Sequence, residues 1–302
     1  MKLLITGATG LVGSEIVNQC HQLGYSVNYL SRDKENLEQK PNYKGFHWDI
    51  SKKEIDPACL EDVNVIIHLA GAPISERWTS SYKKTILDSR IESAKLLHKL
   101  LEDIPNQVEH FISASAIGIY PSSLMNFYTE DYEHTSSSFL GEVVEKWEAA
   151  ADTFKSLNIS VSKIRTGLVL DKNEGALPAI AKPVMFGLGA PLGSGKQWQS
   201  WIHVRDLAKL YLHVLNNDLE GVYNGVAPTP ETNKDLTEWV AKVLGKPFFM
   251  PRVPKFVLKL ILGEMHTIVV ESQRVSSQKI EDEGFNFEFY KLPAALIDIY
   301  KD

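Results

Sequence analysis

Lys2-Leu3-Leu4-Ile5-Thr6-Gly7-Ala8-Thr9-Gly10-Leu11-Val12-Gly13 (KLLITGATGLVG) decides the reading of this chain. Five residues of strand character run straight into three glycines spaced two residues apart. An apolar pattern of helical period follows over 11–23. Gly7 permits a tight turn, and Gly10 removes the side chain that would hold the backbone away from a pyrophosphate. Gly13 lets the helix lie close on the strand. The free N–H groups of the helix's first turn then face negative charge, with Thr9, Leu11 and Val12 lining the cradle. Spaced glycines alone mark many turns. A strand before them and a helix after them make this one a dinucleotide-binding unit.

The same alternation continues outward. Short β-rich runs at 26–30, 46–48, 63–69, ending at 113, and at 160–164 alternate with helical segments at 80–102 and 139–156. Ile86, Ile91, Ala94, Leu97 and Leu101 share one stripe of the long second helix. Nearly continuous apolar strands between helices predict an α/β fold, a doubly wound parallel sheet of Rossmann type. After Arg165 the grammar changes: residues 174–200 are rich in Gly, Pro and Ala, and helices return at 206–217, 234–244 and 255–262. Residues 1–165 therefore read as the dinucleotide-binding domain. Residues 166–302 read as a smaller substrate lobe, with some later segments returning to the sheet.

The chain has 302 residues, 44% hydrophobic and 23% charged, with a formal net charge of −6. This is a globular composition, and the acidic balance argues against nucleic acid or an anionic membrane as partner. Two cysteines, Cys20 and Cys59, are too few for a disulfide framework and read as buried apolar groups in a reducing compartment. No apolar run is long enough to span a membrane, and MKLLITGATG lacks the shape of a signal peptide. The expectation is a cytoplasmic protein. The nine histidines show no ligand spacing with the cysteines, so no metal site is expected. Gly193-Ser194-Gly195-Lys196 fails as a phosphate loop, because Gln197 stands where Ser or Thr is required.

Ser31 and Arg32 close the second strand, before Asp33. An acidic residue here binds a ribose 2′-hydroxyl and selects NAD; an arginine accommodates a 2′-phosphate. Arg32 favours NADP(H), and Asp33 keeps NAD(H) as the alternative.

Several blocks resemble an extended short-chain dehydrogenase/reductase: the glycine start, His68-Leu69-Ala70-Gly71, Ser113-Ala114-Ser115, and Trp201-Ile202-His203-Val204-Arg205-Asp206. GAPISERWT (71–79), DSRIESAKLL (88–97), FLGEVVEKWEAAA (139–151) and LGSGKQWQSWIHVRD (192–206) resemble its atypical, sugar-nucleotide epimerase-like branch. The tail over 253–300 is similar to that branch's own small C-terminal domain. The resemblance spans essentially the whole chain. It implies that Gly7, Gly10 and Gly13 hold the pyrophosphate and Arg32 the 2′-phosphate. Asp49 and Ile50 would lie by the adenine, and Leu69, Ala70 and Gly71 beside the diphosphate and nicotinamide ribose.

Such enzymes use a Tyr-x-x-x-Lys pair on the helix after the fifth strand, one turn apart so that both face one cleft. The lysine lowers the phenol's pKa, and the tyrosine moves the proton. Alignment through Glu148 puts Leu140 and Val144 at these positions, and a one-residue shift gives Phe139 and Val143. Ser115 keeps the family's upstream serine, with Ser113 two residues earlier. Arg90, at a position where the family often has Asn, replaces positive charge near the ribose, meets a substrate anion, or forms a surface ion pair with Asp88 or Glu92. Tyr120, five residues after Ser115, is the candidate replacement acid. Arg165, Trp201 and His203 are candidates for holding substrate. Two classes of function follow: an oxidoreductase or epimerase of a sugar-like or nucleotide-linked small molecule, and a silent NADP(H) sensor acting on a protein partner.

Overall fold

The computed structural model describes residues 1–301. Its sheet has seven parallel strands: β1 (Lys2–Thr6), β2 (Ser26–Ser31), β3 (Tyr43–Asp49), β4 (Val65–His68), β5 (His110–Ala116), β6 (Ser160–Thr166) and β7 (Gly221–Gly225). They lie in the order β7-β6-β5-β4-β1-β2-β3. Chain order reverses between β1 and β4, so a crevice opens above their C-terminal ends.

The alternation within β1 explains its two-faced burial. Leu3 and Ile5 pack on one face with Ile16, Cys20 and Tyr211; Leu4 packs on the other with Ile66, Leu97 and Phe111. Helices α1 (Leu11–Gln22), α2 (Ser80–Asp103) and α3 (Phe139–Asp152) connect the strands. Beyond β6 come α4 (Leu177–Met185), α5 (Val204–Asn216), α6 (Asn233–Val243), α7 (Lys255–Leu262), α8 (His266–Val270), α9 (Gln278–Asp282) and α10 (Leu292–Tyr300). The segment that returns to the sheet is Val204–Gly225: α5 packs against α1, and β7 extends the edge beside β6. A separate core joins α4, α6 and α10 through Leu177, Val184, Leu236 and Leu296.

Two elements exceed the sequence expectation. The strand read over 46–48 runs from Tyr43 because Tyr43 stacks on Tyr29 at 4.5 Å, and Gly45 leaves the room that the Tyr29 ring fills. Helix α4 forms in the Gly/Pro/Ala-rich stretch although Pro183 lies inside it. Burial of Leu177, Ala181 and Val184 outweighs the lost backbone hydrogen bond. Both cysteines are free and buried, and burial pushes each thiol up to about 12. No helix of the described residues is long and apolar enough to cross a membrane.

Candidate functional site

Gly7 sits at φ 71°, in the left-handed region that favours glycine, and its carbonyl accepts the Gly10 N–H at 3.1 Å. A Cβ on Gly13 would stand 2.1 Å from the Gly7 oxygen, so this glycine is what lets α1 approach β1. Gly10 caps α1 with no side chain, and no acidic residue occupies the first turn. The N–H groups there point outward with the positive end of the helix dipole. Gly7, Gly10, Leu11, Val12 and Gly13 all line one cleft of about 460 Å³. Thr9 is exposed at the loop tip.

At the end of β2, Ser31 Oγ accepts the Asp33 N–H at 3.1 Å. The Asp33 carboxylate turns onto its own loop, accepting from the Glu35 N–H at 3.0 Å and from Asn36 Nδ2 at 2.7 Å. The Asn36 bond, then the backbone bond, hold its pKa below the usual value. Arg32 is exposed beside it. Asp49 ends β3 in a turn, its Oδ1 accepting from the N–H and Oγ of Ser51 at 2.9 and 2.6 Å; the serine hydroxyl bond does most to lower its pKa, to about 2. Ile50 packs against the core under the sheet.

The loop after β4 is held from below. Thr6 Oγ1 accepts the N–H groups of Leu69 and Ala70, each at 3.1 Å, and lies 2.8 Å from His68 Nδ1. His68 Nε2 is 3.0 Å from Ser93 Oγ, whose proton goes to the Arg90 carbonyl. A neutral ring protonated at Nε2 satisfies every partner. Burial, then the nearby Arg90 charge, lower the His68 pKa to about 3.

Arg90 reaches into the same cleft beside Gly71, where an added Cβ would meet its guanidinium at 3.1 Å. One of its terminal nitrogens donates to the carbonyls of Ile86 and Ala72 at 2.8 and 3.2 Å, and the group stacks over Trp147 at 4.8 Å. Its Nε is buried without a partner, and the side chain is 9% exposed. Desolvation lowers its pKa to about 10, which leaves it charged at neutral pH.

From α3, Leu140, Val143, Val144 and Trp147 face the cleft. Among the described residues, no lysine lines it. Ser115 lines it too, but its hydroxyl donates to Glu148 Oε1 at 2.6 Å. Glu148 is clasped by Arg165 through two bonds, 2.8 and 3.0 Å, and the third arginine nitrogen reaches the Tyr120 hydroxyl at 3.0 Å.

That network takes two candidates away from the cleft. Tyr120 is 1% exposed, donates to Asn224 Oδ1 at 2.8 Å and has its pKa pushed up by burial to about 12. Arg165 is spent on Glu148; the next residue along β6, Thr166, is the one that faces the cleft. Trp201 is fully buried in the α4–α6 core and donates to the Thr229 carbonyl at 2.8 Å. Its extended neighbours Trp198, Gln199 and Ser200 line the cleft instead. His203 caps α5: Nδ1 accepts the Arg205 N–H at 3.1 Å, and the ring stacks on Phe289 at 4.2 Å. Ser113 donates to the carbonyl of Ala114 and does not line the cleft. Glu148, Gln199, Glu271 and Gln273 went unread in the sequence, whereas Trp198, read with Trp201 as a wall for a ring or a filler of the lobe interface, does line the cleft. Glu271 and Gln273 lie on the C-terminal tail, and only folding brings them to the cleft.

His203 gives a pH test. Burial, then Arg205, lower its pKa to about 4, against an ordinary value near 6.5. Between these values the unfolded chain binds the extra proton, so stability rises with pH across the window and is lost as pH falls through it. Asparagine also caps helices well. His203→Asn is expected to lessen the loss of stability between pH 7 and 4.5 by about 2 kcal/mol, read by urea unfolding at both pH values. An unchanged loss contradicts a neutral capping role.

The crossover, the glycine cradle and the adjoining cleft define a doubly wound α/β protein with a nucleotide-cofactor site. The fit is local and physical: a turn that Cβ atoms would fill, free helix N–H groups, and a buried cation that has no anionic partner among the described residues. The NAD dependent epimerase/dehydratase family matches residues 3–139, and a domain of unknown function (DUF1731) matches residues 253–299. An epimerase family protein of Staphylococcus epidermidis is 38% identical over 302 residues, 99% of each chain. The human epimerase family protein SDR39U1 (isoform 2), crystallised with NADPH, is 30% identical with a TM-score of 0.87 over 100% of both chains. A nucleoside-diphosphate sugar epimerase from Corynebacterium glutamicum is 29% identical with a TM-score of 0.78, over 98% of this chain and 57% of that one. The chain belongs to the epimerase family.

Proposed function

We propose that the cleft holds NADP(H) in preference to NAD(H), and that the protein is an oxidoreductase of small carbonyl or hydroxyl compounds. One observation carries the cofactor preference. The Asp33 carboxylate is folded back onto Glu35 and Asn36, leaving exposed Arg32 as the charged group at the end of β2. NADPH in the human relative supports the same reading. In this reading Gly7, Gly10 and Gly13 admit the pyrophosphate to the α1 N–H groups, and Arg32 meets the 2′-phosphate. Leu69, Ala70 and Gly71 shape the wall beside it. When bound, the cofactor supplies a hydride. Leu140, Val143 and Val144 exclude water, and Arg90 holds a negative oxygen in a site of low polarity.

Arg32→Ala tests the preference. By calorimetry, the wild-type protein is expected to bind NADPH at least about tenfold more tightly than NADH, since one charge-assisted contact is worth roughly 1.5–3 kcal/mol. The variant should lose most of that difference with NADH affinity unchanged; a preference that survives in full sinks the assignment.

A second reading is a catalytically silent NADP(H) sensor that signals to a protein partner. It is favoured by Leu140 and Val144, hydrocarbon at the positions where the wider family carries its acid–base pair. Stoichiometric NADPH mixed with sugars, sugar nucleotides, ketones and quinones separates the two. Oxidation that vanishes in Gly10→Asp supports the enzyme, and tight cofactor binding with no oxidation across the panel supports the sensor.

A further inference from the structure

We propose that the substrate end of the cleft takes a flat, apolar, conjugated carbonyl compound of the quinone type in place of a nucleotide-linked sugar. The proposal rests on the cleft being a hydride-transfer site and names the substrate class of that site.

The wall decides first. Leu140, Val143, Val144 and Trp147 offer hydrocarbon and an indole face, and Ile117 and Ile268, clustered with Val144 and Val143, extend it. A sugar nucleotide brings a charged diphosphate and several hydroxyls, each of which needs a partner once buried. Among the described residues Arg90 is the one cation lining this cleft, and Gln199, Glu271 and Gln273, which also line it, include a carboxylate that opposes a diphosphate. A flat apolar ring asks for none of this and gains by burial between aliphatic side chains and an indole.

Arg90 decides the orientation. Its guanidinium lies 4.8 Å over the Trp147 ring and, among the described residues, has no carboxylate partner and keeps a buried Nε without an acceptor. A single carbonyl oxygen that becomes negative in the reaction fits such a group.

The absence of a tyrosine from α3 decides the chemistry. A saturated ketone that receives a hydride becomes an alkoxide, a base about as strong as hydroxide, so a proton must arrive in the same step. A quinone that receives a hydride gains two electrons and one proton and becomes a hydroquinone monoanion. That anion is of the phenolate kind, with a conjugate-acid pKa of about 10. Arg90 holds it, and water supplies the second proton afterwards to give the hydroquinone, as the reduced nicotinamide becomes oxidised. No tyrosine on α3 is needed.

Binding to the protein saturated with NADP⁺, where no electrons can move, tests the assignment. The probes are 2,3-dimethyl-1,4-naphthoquinone and UDP-glucose, followed by quenching of tryptophan fluorescence and by calorimetry. The quinone is expected to bind at least about tenfold more tightly than UDP-glucose. Leu140→Asp should weaken the quinone at least tenfold while NADP⁺ still binds; Val144→Thr, nearly isosteric, should weaken it several-fold should the aspartate variant not fold. Tighter binding of UDP-glucose, or binding of neither probe, overturns the proposal. So does quinone binding that ignores both cleft variants and disappears in Phe256→Glu, since Phe256 is 73% exposed on α7. Failure of NADP⁺ to bind refutes the cofactor reading instead, and the two probes are then compared on the bare chain.

Discussion

Gly13→Ala is expected to destabilise the protein by about 3 kcal/mol or more and to abolish NADPH binding. The added methyl group would lie 2.1 Å from the Gly7 oxygen and 2.8 Å from Ala8 Cα, both backbone atoms of the tight turn that follows β1. Relief requires α1 to move off the sheet, which uncovers Ile16 and Cys20 and dismantles the phosphate cradle together. Gly10→Ala is the control that separates the two losses. Its Cβ meets nothing nearer than 3.4 Å, so folding should be almost unchanged. The methyl group stands where a phosphate would approach, and NADPH affinity should fall by at least about tenfold. Urea unfolding and calorimetric titration of both variants read the outcome. Normal stability in Gly13→Ala contradicts the packing argument.

Glu148→Ala is the other change of large effect. It leaves Arg165, 7% exposed, charged and without its carboxylate, and removes the acceptor of Ser115. Breaking one side of a buried pair costs about 3–5 kcal/mol. Replacing both partners by apolar groups, Glu148→Leu with Arg165→Met, is expected to recover most of that loss, because no charge is then stranded. Equal losses in the single and double variants contradict the ion-pair account. A change in NADPH affinity beyond a few-fold in either variant, at temperatures where it is folded, contradicts the placement of this network outside the cofactor cradle.

Much of this was legible because glycine and strand signals are local. The turn at Gly7, the close approach at Gly13 and the apolar alternation of β1 depend on residues a few positions apart. They place the cradle before any tertiary contact is known. Leu140 and Val144 were legible through alignment with the family's blocks, and both sit one turn apart on the face of α3 that meets the cleft. Where residues stand on short extended segments, a single step reverses the face. Arg165 and Trp201 seemed to face the ligand; Thr166 and Ser200 do. No local pattern distinguishes the two registers there, because both neighbours end up buried or half-buried. Tyr120 and His203 were drawn by residue type, whereas the Tyr120 hydroxyl is already engaged by Arg165 and the His203 Nδ1 by the α5 N-terminus. Glu271 and Gln273 come to the cleft from the tail, more than 100 residues beyond α3, and a long-range contact of that kind leaves no periodic trace.

Displacement of fluorescent NADPH from the wild-type protein tests the central claim most directly. The account predicts one NADPH per chain and displacement by NADP⁺ at concentrations at least about tenfold below those of NAD⁺. Equal displacement by the two, or no NADPH bound at all, contradicts it.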